Sequence, residues 1–225
     1  MRTFLFCIVI SLIASIAKAD LNQLSNSICR INTGKALATG FTYKEDKDYY
    51  YILTAGHTTG IDTEPIKINL YHSAAFREVE AEKIYFTYHG IEALDSQEIL
   101  DDKIGPCNDV SVLKVKKSAL ESIGYPKFEL VTFGLNYEAK PNTLIWTYGC
   151  SDGNWPSGFK GRLLSLKTNL MRFSPPSIVG RSGSPIMDHE CKKVVGLLTL
   201  CDGIQTTGTR IDIVYEMLKK EGLAP

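Results

Sequence analysis

Three short segments of this sequence hold side chains whose chemistries fit together. Leu53-Thr54-Ala55-Gly56-His57 closes an apolar stretch with small residues and then a histidine. An imidazole changes charge near neutral pH, so His57 is suited to general-base work. Asn108-Asp109-Val110 puts a carboxylate directly before the apolar, β-branched run Val110 to Val115. At the mouth of a strand, Asp109 can accept the Nδ1 proton of a histidine, fix its tautomer and stabilise the imidazolium. Gly180-Arg181-Ser182-Gly183-Ser184-Pro185-Ile186 sets a serine among glycines. Glycine permits positive φ and close backbone approach, and successive N–H groups in such a loop can converge on an oxyanion. Ser182 is then a nucleophile for acyl transfer, a chemistry that needs no metal or cofactor.

Each segment alone has a plainer reading. A histidine after a strand is commonly a surface or core residue, and His72, His89 and His189 are read that way. An aspartate before a strand commonly caps it, and Gly-Ser-Pro runs commonly make turns. Asp101 and Asp102 compete with Asp109, but neither leads directly into a strand. The order His, Asp, Ser separates the triad families. An α/β-hydrolase places its histidine far beyond the serine; here only His189 follows, seven residues on. Ser184 also stands where the hydrolase turn needs glycine.

The elements that must position these residues read as strands. Segments 28–33, 36–43, 49–54, 66–71, 110–115, 143–148, 162–166 and 194–200 are short and apolar or alternating, with Gly, Pro, Asn and Asp between them. Many short strands point to an all-β barrel or sandwich. Glu92 to Leu100 carries a weak helical pattern. The chain closes on a second: Asp212 as cap, then Ile213, Val214, Met217 and Leu218, with Lys219 and Lys220 in the last turn and Gly222 after it.

Hydrophobic residues make up 44% and charged residues 22% of 225, as in an ordinary globular protein. Lys plus Arg and Asp plus Glu are equal at 25 each, so no electrostatic footprint for nucleic acid exists. Arg2, the apolar run Phe4 to Ile16 and Ala17-Lys18-Ala19 read as a signal peptide spanning residues 1–19, cleaved before Asp20. That run is too short for a comfortable membrane span. The expected location is periplasmic or secreted, with no stable membrane insertion once the signal is gone. Cys29, Cys107, Cys150, Cys191 and Cys201 remain after cleavage. An oxidising compartment then predicts disulfides, at most two within one chain. No C-x-x-C pair exists, and no metal site is expected.

Taken together, Thr54-Ala55-Gly56-His57, Asn108-Asp109-Val110 and Gly180 to Pro185 resemble the three signature blocks of chymotrypsin-like (trypsin-like) serine proteases. The Gly-x-Ser-Gly-Ser-Pro form is similar to that of bacterial members. Val195 to Thr199 resembles the strand that lines the family's substrate cleft, and Gly208 to Asp212 the segment before its C-terminal helix. The resemblance implies an all-β fold of two six-stranded antiparallel β-barrels and a C-terminal α-helix, over residues 20–225, divided near 120–140. It implies a serine endopeptidase acting on a polypeptide substrate, with His57, Asp109 and Ser182 catalytic. The backbone N–H groups of Gly180 and Ser182 then form the oxyanion hole. Ser177, Thr199 and Cys201 border the substrate pocket. The alternatives are a catalytically silent binding protein on the same fold, and an esterase using the same triad.

The sequence also departs from relatives within that family. Arg181 occupies the position where animal digestive members carry an aspartate that pairs with a new N-terminal amine. Pro176 replaces the acidic residue of trypsin's pocket, although Asp202 lies close by in sequence. Leu198 replaces the histidine of glutamyl endopeptidases. A neutral pocket is the remaining expectation.

Overall fold

The computed structural model describes residues 24–60, 65–72, 75–88 and 108–225. Residues 1–19, read above as a signal peptide, the Glu92 to Leu100 pattern, His89, Asp101, Asp102 and Cys107 lie outside the described residues.

Thirteen strands are described. β1 (Ile28–Asn32), β2 (Leu37–Glu45), β3 (Tyr49–Thr54), β4 (Ile66–His72), β5 (Ala75–Thr87) and β6 (Val110–Lys116) close a barrel in the order β1-β2-β3-β6-β5-β4. Every pairing in it is antiparallel. Alternation sends Ile31, Ile52, Ile68, Leu70 and Leu113 inward, where each is fully buried. A short helix, Lys117–Ser122, follows β6. Tyr125 and Phe128 then return to the core of this barrel.

The second sheet contains β7 (Thr132–Phe133), β8 (Leu144–Gly149), β9 (Ser157–Leu166), β10 (Leu170–Ser174), β11 (Pro185–Met187), β12 (Lys193–Cys201) and β13 (Thr206–Arg210). Six of them run β11-β8-β9-β10-β13-β12, and a β11–β12 pairing closes the second barrel. The two-residue β7 adds to β12 in parallel. Ile145, Leu163, Met171, Phe173, Ile186, Val195 and Leu198 fill this barrel.

A further apolar cluster joins the two barrels. It unites Phe41, Leu53 and Val112 from the first barrel with Met187 and Leu197 from the second. The C-terminal helix, Ile211–Lys220, contributes Val214 and Leu218 to the same cluster. Beyond the helix, the tail reaches back to the first barrel. The Tyr43 hydroxyl donates to the Leu223 carbonyl at 3.0 Å, and Lys44 Nζ to that of Ala224 at 2.7 Å. This packing fixes the barrels against each other along the cleft where the site lies.

One expectation changes at the helix start. Asp212 does not cap it; the N-cap is Arg210, without a side-chain cap bond. Asp212 sits one position inside the helix, accepts the Asn136 amide and pairs with Arg210 at 2.8 Å. Its charge still suits the positive end of the helix.

Candidate active site

β3 and β6 are antiparallel neighbours, with Thr54 opposite Ser111. The end of one therefore lies beside the start of the other. That juxtaposition brings together His57, just past β3, and Asp109, just ahead of β6. The His57 amide donates to Asp109 Oδ1 at 2.7 Å, and His57 Nδ1 lies 2.7 Å from Asp109 Oδ2. A carboxylate offers only acceptors, so Nδ1 carries the proton and Nε2 keeps a free lone pair. Asp109 is 1% exposed, whereas the His57 side chain is 30% exposed. The carboxylate is sealed behind the ring, and the ring faces the cleft. Gly56 is required here because a Cβ would strike the Thr87 carbonyl and crowd Asp109 Oδ1.

Ser182 comes from the other barrel, on the loop between β10 and β11. Its neighbours determine the direction of two amides. The Val179 carbonyl accepts the Asp152 amide at 2.7 Å, and the Arg181 carbonyl accepts the Ser184 amide at 2.9 Å. In a trans peptide the N–H points opposite to its own carbonyl. The Gly180 and Ser182 amides are therefore turned away from those partners, and neither donates to a protein acceptor among the described residues. Two N–H groups without protein acceptors, from Gly180 and Ser182 on either side of Arg181, are the kind of donors that can receive a negative oxygen. Gly183 has φ +84°, and a Cβ there would strike the Thr39 carbonyl and Thr54 Oγ1. Glycine is needed for the nucleophile loop to sit this close to the first barrel.

Thr39 is a participant that the sequence did not mark. It is fully buried on β2. Its amide donates to the Ser182 carbonyl at 2.9 Å, and its hydroxyl donates to the Gly180 carbonyl at 2.9 Å. The same hydroxyl accepts the Cys150 amide at 2.9 Å. No local pattern points to these contacts, which span 141 residues for Gly180 and 111 for Cys150.

His57 and Ser182 line one cavity of about 750 Å³. All three residues expected at its border are present. Ser177 offers a buried hydroxyl without a protein partner among the described residues, while its amide donates to Thr206 Oγ1 at 2.6 Å. Thr199 is 1% exposed and its hydroxyl is committed to the Thr207 carbonyl at 3.3 Å. Cys201 stands exposed at the rim, and its thiol donates to the Ser177 carbonyl at 3.1 Å. Sequence reading missed the apolar lining: Leu37, Tyr88, Ile178, Val179 and Leu200. Ile178 and Val179 are exposed directly ahead of Gly180, and an apolar pair in so polar a loop was the available signal. Asp202 does not line the cavity. Its Oδ1 accepts the Ile204 and Gln205 amides, closing its own turn.

The described cysteines show no bridges. No disulfide joins any two of Cys29, Cys150, Cys191 and Cys201. Cys29 is buried in the first barrel, and its thiol donates to the Gly40 carbonyl. Cys150 is also buried, and desolvation pushes its thiol pKa up to about 12. Among the described residues, no cluster of three or more acidic, histidine or cysteine side chains could hold a metal ion.

These features define a chymotrypsin-like fold with a His-Asp pair and a serine loop that open onto one cavity. Comparison with solved structures agrees on the fold. The chain is similar to the inactive form of Rv3671c from M. tuberculosis H37Rv, with 16% identity, TM-score 0.64 and 90% of each chain covered. It is similar to a serine endoprotease from Yersinia pestis, with 14% identity and TM-score 0.66, covering 91% of this chain and 65% of that one. A human pathogenic astrovirus serine protease matches at 16% identity and TM-score 0.57, covering 84% of this chain and 91% of that one. No family model matches the sequence, and no curated protein matches it.

Proposed function

We propose that this protein is a serine endopeptidase working through an acyl-enzyme. The observation that carries the proposal is the hydrogen bond between buried Asp109 and His57, whose ring lines the same cavity as Ser182. Ser182 Oγ attacks the scissile carbonyl carbon while His57 Nε2 takes its proton. The carbonyl oxygen, now an anion, is received by the Gly180 and Ser182 amides. His57 returns the proton to the departing amine, and the Ser182 ester remains. Water, deprotonated by the same imidazole, then attacks the ester carbonyl; the acyl–Oγ bond breaks, the acid leaves, and His57 returns the proton to Ser182 Oγ. Asp109 holds the tautomer throughout. The similar solved proteins named as proteases support this reading, and no metal or cofactor is invoked.

The cavity favours a neutral residue before the cleaved bond. Among the described residues, His57 is its one ionisable base and no Asp, Glu, Lys or Arg lines it. Burying a charged side chain there without a partner costs more than the roughly 1–3 kcal/mol of an unpaired neutral group. Substrates with an apolar residue at that position should therefore exceed Arg or Glu counterparts in kcat/KM by at least about tenfold. Cleavage-site mapping on a peptide library checks this. A dominant preference for Arg, Lys, Asp or Glu would refute the neutral pocket.

The proposal includes export, carried by the charge, apolar run and small-residue site of residues 1–19. No helix among the described residues is long and apolar enough to cross a membrane. N-terminal sequencing of the protein recovered from outside the cytoplasm should start at Asp20. Retention of residues 1–16 would point instead to an anchor.

A further inference from the structure

Arg181 sits between the residues that supply the two free amides, yet its side chain points away from the cleft and is 3% exposed with its residue. Nε donates to Ser151 Oγ at 2.6 Å and Nη1 to Thr147 Oγ1 at 3.2 Å. Nη2 donates to the Ser157 carbonyl at 2.9 Å and to Ser157 Oγ at 2.8 Å. The guanidinium also lies 5.4 Å from the centroid of the Phe159 ring. Every acceptor is neutral, and no carboxylate pairs with Arg181 among the described residues. Burying a guanidinium without a counter-charge is costly. Four hydrogen bonds in a rigid fork offset part of that cost, and lysine could not reproduce the fork.

All the acceptors belong to one unit: β8, the 3-10 turn Ser151–Gly153 and the start of β9. That turn also supplies the Asp152 amide that holds the Val179 carbonyl, and thereby aims the Gly180 N–H. A Cβ at Gly180 would strike the Cys150 carbonyl, so the loop lies flat on the turn. Arg181 grips this unit from behind the loop, while Thr39 holds the Gly180 and Ser182 carbonyls from the first barrel.

We propose that Arg181 is a positioning residue for the oxyanion receptor: its buried guanidinium clamps the nucleophile loop to the β8–β9 hairpin and so keeps the Gly180 and Ser182 amides aimed into the cleft. The inference rests on the serine-protease reading above. It makes the receptor self-assembled, with the cation supplied by the nucleophile loop itself. Loss of the clamp frees the Val179–Gly180 peptide to rotate, which weakens transition-state binding and leaves ground-state contacts in place.

The test uses Arg181→Ala and the double variant Ser151→Ala/Ser157→Ala, with hydrolysis of one peptide substrate and inhibition by the matching peptide aldehyde. The aldehyde gains a negative oxygen only when Ser182 adds to it. Removing a single oxyanion donor lowers kcat by about 10²–10³-fold. Arg181→Ala should approach the lower end of that range, with KM within about threefold of wild type. Aldehyde affinity should fall in step with kcat/KM. Guanidinium ion at millimolar concentration should restore part of the Arg181→Ala turnover by occupying the vacated site. The Ser151→Ala/Ser157→Ala chain, altered at half-buried and exposed positions, should show the same kcat loss more weakly, and it decides the matter where Arg181→Ala does not fold. An active wild type whose folded variants keep kcat within threefold overturns this inference alone, as does a loss confined to KM. A folded wild type without hydrolysis overturns the serine-protease reading, and this inference with it.

Discussion

Ser182→Ala should lower peptide turnover by roughly a millionfold, and His57→Ala should do the same, the size of loss found when either group is removed from a comparable triad. The first change removes the attacking oxygen. The second removes Nε2, the lone pair left free by the Asp109 bond to Nδ1. The double variant should cost little more than either single change, because nucleophile and base act in one step. Independent surface residues would instead give multiplying losses. Steady-state kinetics on the purified chain measures this, with circular dichroism showing that each variant keeps its strand signal. The residual rate expected of such variants would come from the Gly180 and Ser182 amides and from substrate binding.

Asp109→Asn should cost less, about 10⁴-fold in kcat. The reason follows from the two bonds to the carboxylate. Asp109 accepts the His57 amide on one oxygen and the Nδ1 proton on the other. The backbone amide is a donor that cannot change, so an asparagine must turn its single oxygen towards it. The asparagine NH2 then faces Nδ1 and donates. Nδ1 becomes an acceptor, the ring proton moves to Nε2, and the base is lost. The fold should be preserved, since the side-chain volume hardly changes. A fall in kcat below about tenfold would mean that Asp109 does not set the tautomer.

Much of this site was legible because its residues mark the ends of strands. His57 follows the apolar run of β3, and Asp109 precedes that of β6. Antiparallel pairing of two neighbouring strands does the rest. The serine loop announced itself through Gly180 and Gly183, both at positive φ. The elements that stayed hidden lack such signals. β5 carries Arg77, Glu78, Glu80, Glu82 and Lys83, and of its side chains only Val79 is buried. Its stability comes from pairing with β4 and β6 and from cross-strand charges such as Lys67–Glu78 at 2.8 Å. β11 has three residues, begins on Pro185 and is wholly buried; a run so short has no readable period. β13 is mostly threonine and glycine and gains its place from β10 and β12. Thr39 and Arg181 act through partners brought near only by the closed barrels, and no local pattern encodes that. The cysteine arithmetic showed how many bridges were possible, but pairing depends on distance: Cys29 and Cys150 are buried thiols, and Cys201 is at the rim.

Fluorophosphonate labelling followed by peptide mapping tests the central claim most directly. The probe needs a serine oxygen that attacks phosphorus, a base that takes its proton and a receptor for the developing anion. The folded wild type should take up one phosphonyl group per chain, found on Ser182, with fluoride released. His57→Ala should remain unlabelled over the same time. Labelling at another residue, equal uptake by folded Ser182→Ala, or no uptake by folded wild type would contradict the account, and the last result would favour a silent binding protein on this fold.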